Sequence, residues 1–216
     1  TTALKSVYIW TTQDPYEGVG TSSGDYLGKF NAVRPVFDGD VGQLVGIDPG
    51  GLGGVAVTIG GICTANNYSY SDVNFSYSTV PTYSWTVQVV THELGHLLGS
   101  RHTHACVWNG NSTALDGCAG VTEGGCALPP LPPNGGTIMS YCHNTSVGTK
   151  FGNGFGEQPG NVIRNRIASA TCLQTCPPID NSGTGTGGGS SSGNGAGTGT
   201  GTGTGGGSSS GNGTGS

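Results

Sequence analysis

The feature that most constrains this chain is the spacing of three histidines within residues 92–102, which read HELGHLLGSRH. His92 and His96 stand four positions apart, and residues so spaced share one face, one turn apart, when the backbone is helical. His102 follows a glycine, Gly99, which can adopt the positive φ of a sharp turn at the end of a helix. The spacing therefore predicts a helix that ends near Gly99 and a turn that brings the three imidazoles together.

This cluster is typical of a catalytic metal site. Three imidazoles leave one coordination position of a tetrahedral Zn²⁺ open, which is the pattern of catalytic rather than structural zinc. Glu93 follows the first histidine, where its carboxylate can reach a water beside the metal. The competing interpretation is an amphipathic helix with solvated histidines and a surface glutamate, but a chance match does not explain Gly99 and His102 at fixed offsets. We therefore predict Zn²⁺ as the cofactor, with the three histidines as ligands and Glu93 as the general base.

The rest of the chain predicts short helices and strands around this helix. Alternating β-formers indicate strands, whereas helical spacing behind a capping residue indicates helices. Residues 100–150 are rich in Gly, Pro, Asn and Cys and are expected to be mostly irregular. We therefore predict an α+β fold with a mixed sheet above the active-site helix and an irregular, disulfide-stapled lower subdomain. The predicted elements are a strand at 4–10, a helix capped by Ser22 or Ser23 that ends before Pro35, a strand through Val55, Val57 and Ile59, a short strand within 65–81, the helix at 82–99, and a last helix from Asn161 through Ala170.

Composition excludes several classes of function. Seven Lys and Arg against twelve Asp and Glu give a net charge of −5 without a basic cluster, so we expect no nucleic-acid partner. The longest apolar run is too short to cross a bilayer, so we expect no membrane-spanning segment. The chain has seven cysteines and only 9% charged residues, and this combination favours a secreted or extracellular location. The alternative is a cytosolic protein in which cysteines bind a metal. Cys172 and Cys176 form one close pair, but no second close pair of cysteines completes a four-cysteine site.

The sequence divides into two parts of very different composition. Residues 181–216 consist of Gly, Ser, Thr and Asn with one Ala, and they carry no charge and no aromatic side chain. Such a segment cannot bury enough apolar area to offset the entropy of ordering it. We therefore predict one folded domain over residues 1–180, expected to be a monomer, and a flexible linker or tail over residues 181–216.

The histidine segment resembles the long zinc-binding motif of the metzincin zinc endopeptidases. Metzincins also have a methionine turn downstream of the histidines, and the single methionine, Met139, lies in the segment TIMSY. Three further segments look like the adamalysin or reprolysin branch, so the likeness covers roughly residues 4–176. These segments are VYIWTTQDP, which looks like its second strand and the following turn, FDGDVGQLVG, which looks like a helical segment, and GGVAVTIGGIC, which looks like the edge strand that ends at Cys63.

The resemblance also implies substrate-binding residues and disulfides. In this branch the edge strand binds substrate by β-augmentation. The residues that this implies are Gly54, Val55, Ala56 and Val57. Cys63 pairs in the family with a cysteine near the C-terminus, which is Cys172 or Cys176 here. Two more bridges are then expected among Cys106, Cys118, Cys126 and Cys142, and their spacing leaves three pairings open.

Three departures from the branch pattern are visible. Thr103 follows the third histidine, where typical reprolysins have Asp. Tyr141 stands two residues after the methionine, the spacing at which astacin-like and serralysin-like members have a tyrosine near zinc. We therefore expect Tyr141 to hydrogen-bond the developing oxyanion. Because residues 4–10 resemble the second strand of the family, the first strand and first long helix are expected to be missing from this sequence.

Other polar residues receive ordinary interpretations. His104 and His143 are expected to be solvent-facing loop residues, and a role for His104 behind the zinc ligands, or as an alternative ligand, is the competing interpretation. Asp116 and Glu157 are expected to lie on the surface, because no close run of carboxylates supports a structural Ca²⁺.

Together these features predict a secreted zinc endopeptidase that hydrolyses protein or peptide substrates. Glu93 would take the proton of the attacking water and pass it to the leaving amine. The first alternative is a catalytically inactive zinc-binding module for adhesion or display on a Gly/Ser stalk, against which the intact Glu93 argues. The second is a disulfide-stapled surface domain without metal, which a measurement of zinc content distinguishes.

Overall fold

A computed structural model describes residues 4–48 and 50–173 of the chain. It combines helices with a small mixed sheet, which confirms the predicted α+β class. None of the helices in the described part is long and apolar enough to span a bilayer. The elements are α1 (Ser23–Val33), β1 (Gly42–Gly46), β2 (Gly54–Ala56), β3 (Tyr68–Asp72), α2 (Trp85–Leu97) and α3 (Glu157–Ala168), with 3₁₀ turns at Cys142–Asn144 and Phe151–Asn153.

The sheet has the strand order β1-β3-β2. β1 runs parallel to β3, with Leu44 opposite Tyr70, and β2 runs antiparallel to β3. All five residues of β3 are buried, and the Tyr70 side chain is fully enclosed. The predicted short strand within 65–81 is thus the central strand, and the strand predicted through Val55 is an edge strand that is shorter than expected.

Two sequence-based assignments near the N-terminus are wrong. Residues 4–10 form no strand, and Leu4 and Ile9 are 88% and 79% exposed. Alternating β-formers become a strand only when a neighbouring strand supplies hydrogen bonds, and no described strand pairs with this segment. The segment FDGDVGQLVG is also not helical, because it contains β1, whose terminal residues Gly42 and Gly46 are poor helix formers.

Helix α1 forms as the sequence predicted. Ser22 is the N-cap: its hydroxyl accepts from the Asp25 N–H, and the Asp25 carboxylate accepts from the Ser22 N–H, which completes a capping box. Its Phe30 side chain is buried against β1 and β3 in an aromatic cluster. The buried members of this cluster are Tyr16, Phe30, Leu44, Tyr68 and Tyr70.

Helix α2 lies between the sheet and the irregular chain that follows it. The apolar stripe through Val90 and Leu94 is not the most buried side of the helix, because both residues are only partly buried while the face with the histidines is buried. The reason is that this face is covered by the chain around Ile138, whose carbonyl accepts a hydrogen bond from Gln88 Nε2 at 2.7 Å. The helix therefore presents its polar face to the interior.

Three disulfides fix the irregular region and the last helix. Cys63 pairs with Cys172, one of its two predicted partners, whereas Cys176 lies outside the described residues. The other two bridges resolve the open pairing: they are Cys106–Cys126 and Cys118–Cys142.

The predicted start of the last helix at Asn161 is wrong. Helix α3 begins at Glu157 and ends at Ala168 rather than Ala170. Gly156, with φ of 77°, is the N-cap residue. Pro159 lies in the first turn, where an N–H group has no acceptor within the helix, so proline is tolerated there. The predicted tail, residues 181–216, lies outside the described residues.

Candidate metal and active site

The three histidines of the motif converge as their spacing predicted. His92 and His96 project from adjacent turns of α2, with ring centroids 4.8 Å apart, and His102 lies 5.2 Å from His92 by the same measure. The Nε2 atoms of His96 and His102 are 3.1 Å apart. One ligand atom from each histidine lies within 4.8 Å of the other two, so the three side chains can share one metal ion.

Gly99 makes this convergence possible. Its φ is +102°, a conformation that an L side chain rarely adopts, and its N–H donates to the His96 carbonyl. The turn redirects the chain immediately after α2, so that His102 reaches back to the helical pair. This confirms the predicted turn.

The three histidines fit a zinc site in their tautomers as well as in their spacing. Each Nδ1 lies beside an acceptor: His92 Nδ1 is 2.8 Å from the Ile138 carbonyl, and His96 Nδ1 is 2.8 Å from the Ser100 carbonyl. His102 Nδ1 is 2.6 Å from the Glu123 carboxylate. Because each Nδ1 carries its proton toward these acceptors, the three Nε2 atoms are left unprotonated and available as ligands.

Burial keeps the two helical imidazoles neutral. Desolvation lowers the pKa of His92 well below its ordinary value, and the neighbouring His96 adds to this shift. For His96, desolvation together with nearby His102 lowers the pKa to about 4. Neutral imidazole is the form that binds a metal, so the environment favours the ligand state before any ion arrives.

Glu93 lies beside the histidines and against the edge strand. The side chain is only 5% exposed, and burial raises the pKa of its carboxyl to about 8, against the opposing effect of a backbone hydrogen bond from Ala56. A Cβ added to Gly54 would stand 2.5 Å from Glu93 Oε1, so strand and carboxylate are in close approach. Gly54 and Ala56 therefore border the predicted catalytic carboxylate, while Val55 and Val57 pack toward the aromatic cluster of the sheet.

Met139 lies beneath the histidine helix. Its side chain is fully buried, and a Cβ added to Gly95 would meet its sulfur at 2.6 Å. The buried Thr103, where typical reprolysins have Asp, donates its backbone N–H to the Met139 carbonyl at 3.1 Å. The segment around Met139 thus packs under both the helical histidines and the turn that leads away from His102.

The Tyr141 side chain also contacts the histidine cluster. Its hydroxyl is 3.3 Å from His102 Nε2, and its ring contacts His102 with centroids 4.9 Å apart. Burial raises the pKa of the phenol, and the carboxylates of Glu123 and Glu93 add to the effect. The hydroxyl therefore stays protonated at neutral pH and can donate a hydrogen bond.

Sequence reasoning missed Glu123. Its Oε1 atom lies 2.6 Å from His102 Nδ1 and 3.2 Å from His104 Nε2. Burial works to raise the pKa of this carboxyl, but the hydrogen bonds from His102 and His104 outweigh it and lower the pKa. The only indication in the sequence was a lone glutamate between Cys106 and Cys126, and the spacing left open whether these two cysteines pair.

The exposure expected for three nearby residues is wrong. His104 is only 3% exposed rather than solvent-facing, because it stacks on His102 with ring centroids 4.8 Å apart and interplanar angle 9°. Asp116 is 4% exposed rather than on the surface, and it accepts a hydrogen bond from the Cys118 N–H. His143 is partly buried against Trp85, with ring centroids 5.3 Å apart, so it is not a free loop residue either.

Comparison with known families agrees with this geometry. Residues 1–151 match a family model, Reprolysin_5, described as metallo-peptidase family M12. A search of curated proteins found no significant match. The matched range contains the three histidines, Glu93, Met139 and Tyr141. The chain therefore belongs to metallo-peptidase family M12, in agreement with its metzincin-like sequence.

Proposed function

We propose that this protein is a secreted, zinc-dependent endopeptidase in which His92, His96 and His102 hold one Zn²⁺. The observation that carries the proposal is the convergence of three imidazoles, each with an acceptor beside its Nδ1, next to a buried carboxylate. When bound, Zn²⁺ would polarise the scissile carbonyl and acidify a water molecule. Three protein ligands leave room for that chemistry, which a closed four-ligand structural site would not.

Glu93 is the general base in this proposal. It accepts the proton of the attacking water and then donates it to the amine of the leaving peptide. Burial has moved its pKa toward neutrality, where a carboxyl group can both take and return a proton. A module used only for binding has no need of a buried carboxylate at this position, which argues against the adhesion alternative.

Strand β2 and Tyr141 supply substrate contacts in this proposal. β2 pairs with β3 on one side and has no partner on the other among the described strands, so a peptide can add there as a further strand. The close approach of Gly54 to Glu93 brings such a peptide beside the base. Tyr141 donates its hydroxyl to the oxyanion that develops on the scissile carbonyl.

An extracellular location is part of the proposal. It is supported by the three disulfides of the described chain, since such bonds persist in oxidising compartments. Protein or peptide substrates follow from the peptidase family. We expect the folded unit to act as a monomer.

The test is the substitution Glu93→Gln, which keeps the size of the side chain and removes the base. We expect hydrolysis of a quenched fluorescent peptide to fall at least ~10²-fold, because general base catalysis contributes about that much. Elemental analysis after dialysis should still give one zinc per chain, since Glu93 is not a ligand. Glu17→Gln, which removes the same charge from an exposed turn, is the matched control and should leave both values unchanged. Activity within a few-fold of the wild type, or a wild type without zinc, would refute the proposal.

A further inference from the structure

The three proposed ligands differ in what stands behind them. His92 and His96 each face a neutral backbone carbonyl through Nδ1, whereas His102 faces the carboxylate of Glu123. The 2.6 Å separation of His102 Nδ1 and Glu123 Oε1 is shorter than the 2.8 Å of either backbone contact. Hydrogen bonds with an ionised partner are shorter and stronger than neutral ones. His102 is therefore the ligand whose orientation depends on a side chain.

His102 also needs such support more than its two partners. His92 and His96 are fixed by α2, and both are 7% exposed. The His102 side chain is 18% exposed and belongs to an irregular segment that follows the turn at Gly99. A ligand on irregular chain loses more freedom when it is fixed, so an external contact that fixes it beforehand has more to contribute.

Glu123 is itself held against the histidine segment by its backbone. Its N–H donates to the His104 carbonyl at 3.0 Å, and its carbonyl accepts from the Cys106 N–H at 2.8 Å. These bonds form a parallel bridge between Ala105 and Glu123, and the Cys106–Cys126 disulfide closes the loop that carries it. The carboxylate is thus attached to a fixed point rather than to a mobile loop.

His104 sets the direction of that carboxylate. Its Nε2 lies 3.2 Å from the same Oε1 atom that contacts His102, and its ring stacks on His102 almost in parallel. One carboxylate oxygen is therefore shared by two imidazoles, one on the ligand and one behind it. The arrangement explains why a histidine two residues beyond the motif is buried.

We propose that Glu123 is a positioning residue for the third zinc ligand: by accepting the Nδ1 proton of His102 it fixes the tautomer and ring direction of that imidazole and increases its affinity for the metal. This inference rests on the proposed zinc site. Carboxylates behind metal-bound histidines orient the ring and raise its basicity, and losing one costs about 10- to 100-fold in metal affinity.

The experiment measures zinc affinity by competition with a chromogenic chelator in the full chain, for wild type, Glu123→Ala, Glu123→Gln and Glu123→Asp. We expect Glu123→Ala to bind zinc about 10- to 100-fold more weakly. Asp keeps the charge and Gln keeps an acceptor, so both should recover part of the loss. Glu17→Gln, which removes one exposed negative charge elsewhere, should bind zinc as the wild type does.

Absorption spectra of the Co²⁺-substituted proteins provide a second readout. We expect the visible bands to shift in Glu123→Ala, because the direction of the His102 ring changes the ligand field, while a merely structural role would leave them unchanged. If Glu123→Ala does not fold, the Gln and Asp variants carry the same comparison. Wild-type affinity and spectra in all three variants would overturn the inference while leaving the zinc site intact.

Zinc stoichiometry separates the remaining outcomes. One ligand atom from each of His102, His104 and Glu123 lies within 4.8 Å of the other two, so these residues could also hold a metal ion. A wild type that takes two zinc ions per chain, with one lost in Glu123→Ala, would make Glu123 a ligand and overturn the positioning role. A wild type that takes none would refute the proposed function itself, and this inference with it.

Discussion

The sheet region, residues 4–81, and the loop region, residues 100–156, hold their side chains in place by different means. In the sheet region aromatic rings pack together: Tyr26 stacks on Tyr70 with centroids 4.8 Å apart, and Phe30 meets Tyr68 edge-on. In the loop region the helical structure is limited to two 3₁₀ turns, and two disulfides begin and end within it. The candidate site takes His102, Glu123 and Tyr141 from this cross-linked region.

Each region combines exposed apolar side chains with fully buried residues, and Val121 of the loop region is 65% exposed. Val7, Ile9 and Val45 of the sheet region are more than half exposed, so much of its apolar surface contributes little to stability. In the loop region Met139, Ser140 and Cys142 are fully buried in consecutive turns. The comparison teaches that cross-links and turns can bury side chains of an irregular chain as fully as β3 buries Tyr70 in the sheet.

The largest expected effect contrasts one apolar side chain from each region. Met139→Ala empties a fully enclosed position and should lower the free energy of unfolding by about 2–5 kcal/mol. Ile9→Ala truncates a side chain that is 79% exposed and should change it by less than about 0.5 kcal/mol. Urea unfolding of both variants measures the difference. Equal losses would show that residues 4–10 are packed in solution and would break the comparison.

The centre of the site could be predicted from sequence because its information is local. A spacing of four residues places His92 and His96 one turn apart, and a single glycine explains the return of His102. Glu123 could not be predicted, because it lies 21 residues beyond His102 in a segment without periodicity. Its approach depends on the pairing of Cys106 with Cys126, which spacing does not determine.

Elements of the fold could also be predicted where the information is local. The predictions failed where an element depends on residues far away in the sequence. The helix predicted behind Ser22 or Ser23 and the turn predicted at Gly99 each depend on a few neighbouring residues, and both formed. Residues 4–10 have a clear alternation, yet a strand needs a hydrogen-bonded partner that local sequence cannot supply. Segment 42–46 lacked a clear period and became a strand by pairing with β3.

A matched pair of glycines sharpens the comparison at a smaller scale. In α2, a Cβ at Gly95 would meet Met139 at 2.6 Å and Phe155 at 2.8 Å, so Gly95→Ala should cost about 1–3 kcal/mol by overpacking. In α1, a Cβ at Gly28 would meet nothing within 4 Å, so Gly28→Ala should stabilise by about 0.5–1 kcal/mol.

Urea unfolding of the zinc-free proteins measures both effects without a contribution from the metal. The same substitution in two helices should then change stability in opposite directions. A Gly95→Ala variant as stable as the wild type would mean that the methionine segment is free to move away from α2. In that case the loop region would be less tightly packed than its burial indicates.

The smallest expected effect concerns pH and the exposed cap of α1. Hydrogen bonds from the Ser22 hydroxyl, and from the backbone N–H groups of Thr21 and Ser22, lower the pKa of Asp25 below its ordinary value of 3.8. A carboxyl whose pKa is lower in the folded state stabilises the fold above the unfolded pKa and loses this contribution as the pH falls through the folded value. Asp25→Asn should therefore lower the melting temperature slightly at pH 7, and the difference from wild type should shrink as the pH falls below about 3.8.

Asp40→Asn, at an exposed position before β1, is the control for the loss of one charge. Other carboxyl groups titrate alike in wild type and variant, so the difference between the two melting curves isolates Asp25. A difference that stays constant from pH 7 to pH 3 would mean that the charge of Asp25 contributes nothing, and that α1 is held by the aromatic cluster rather than by its cap.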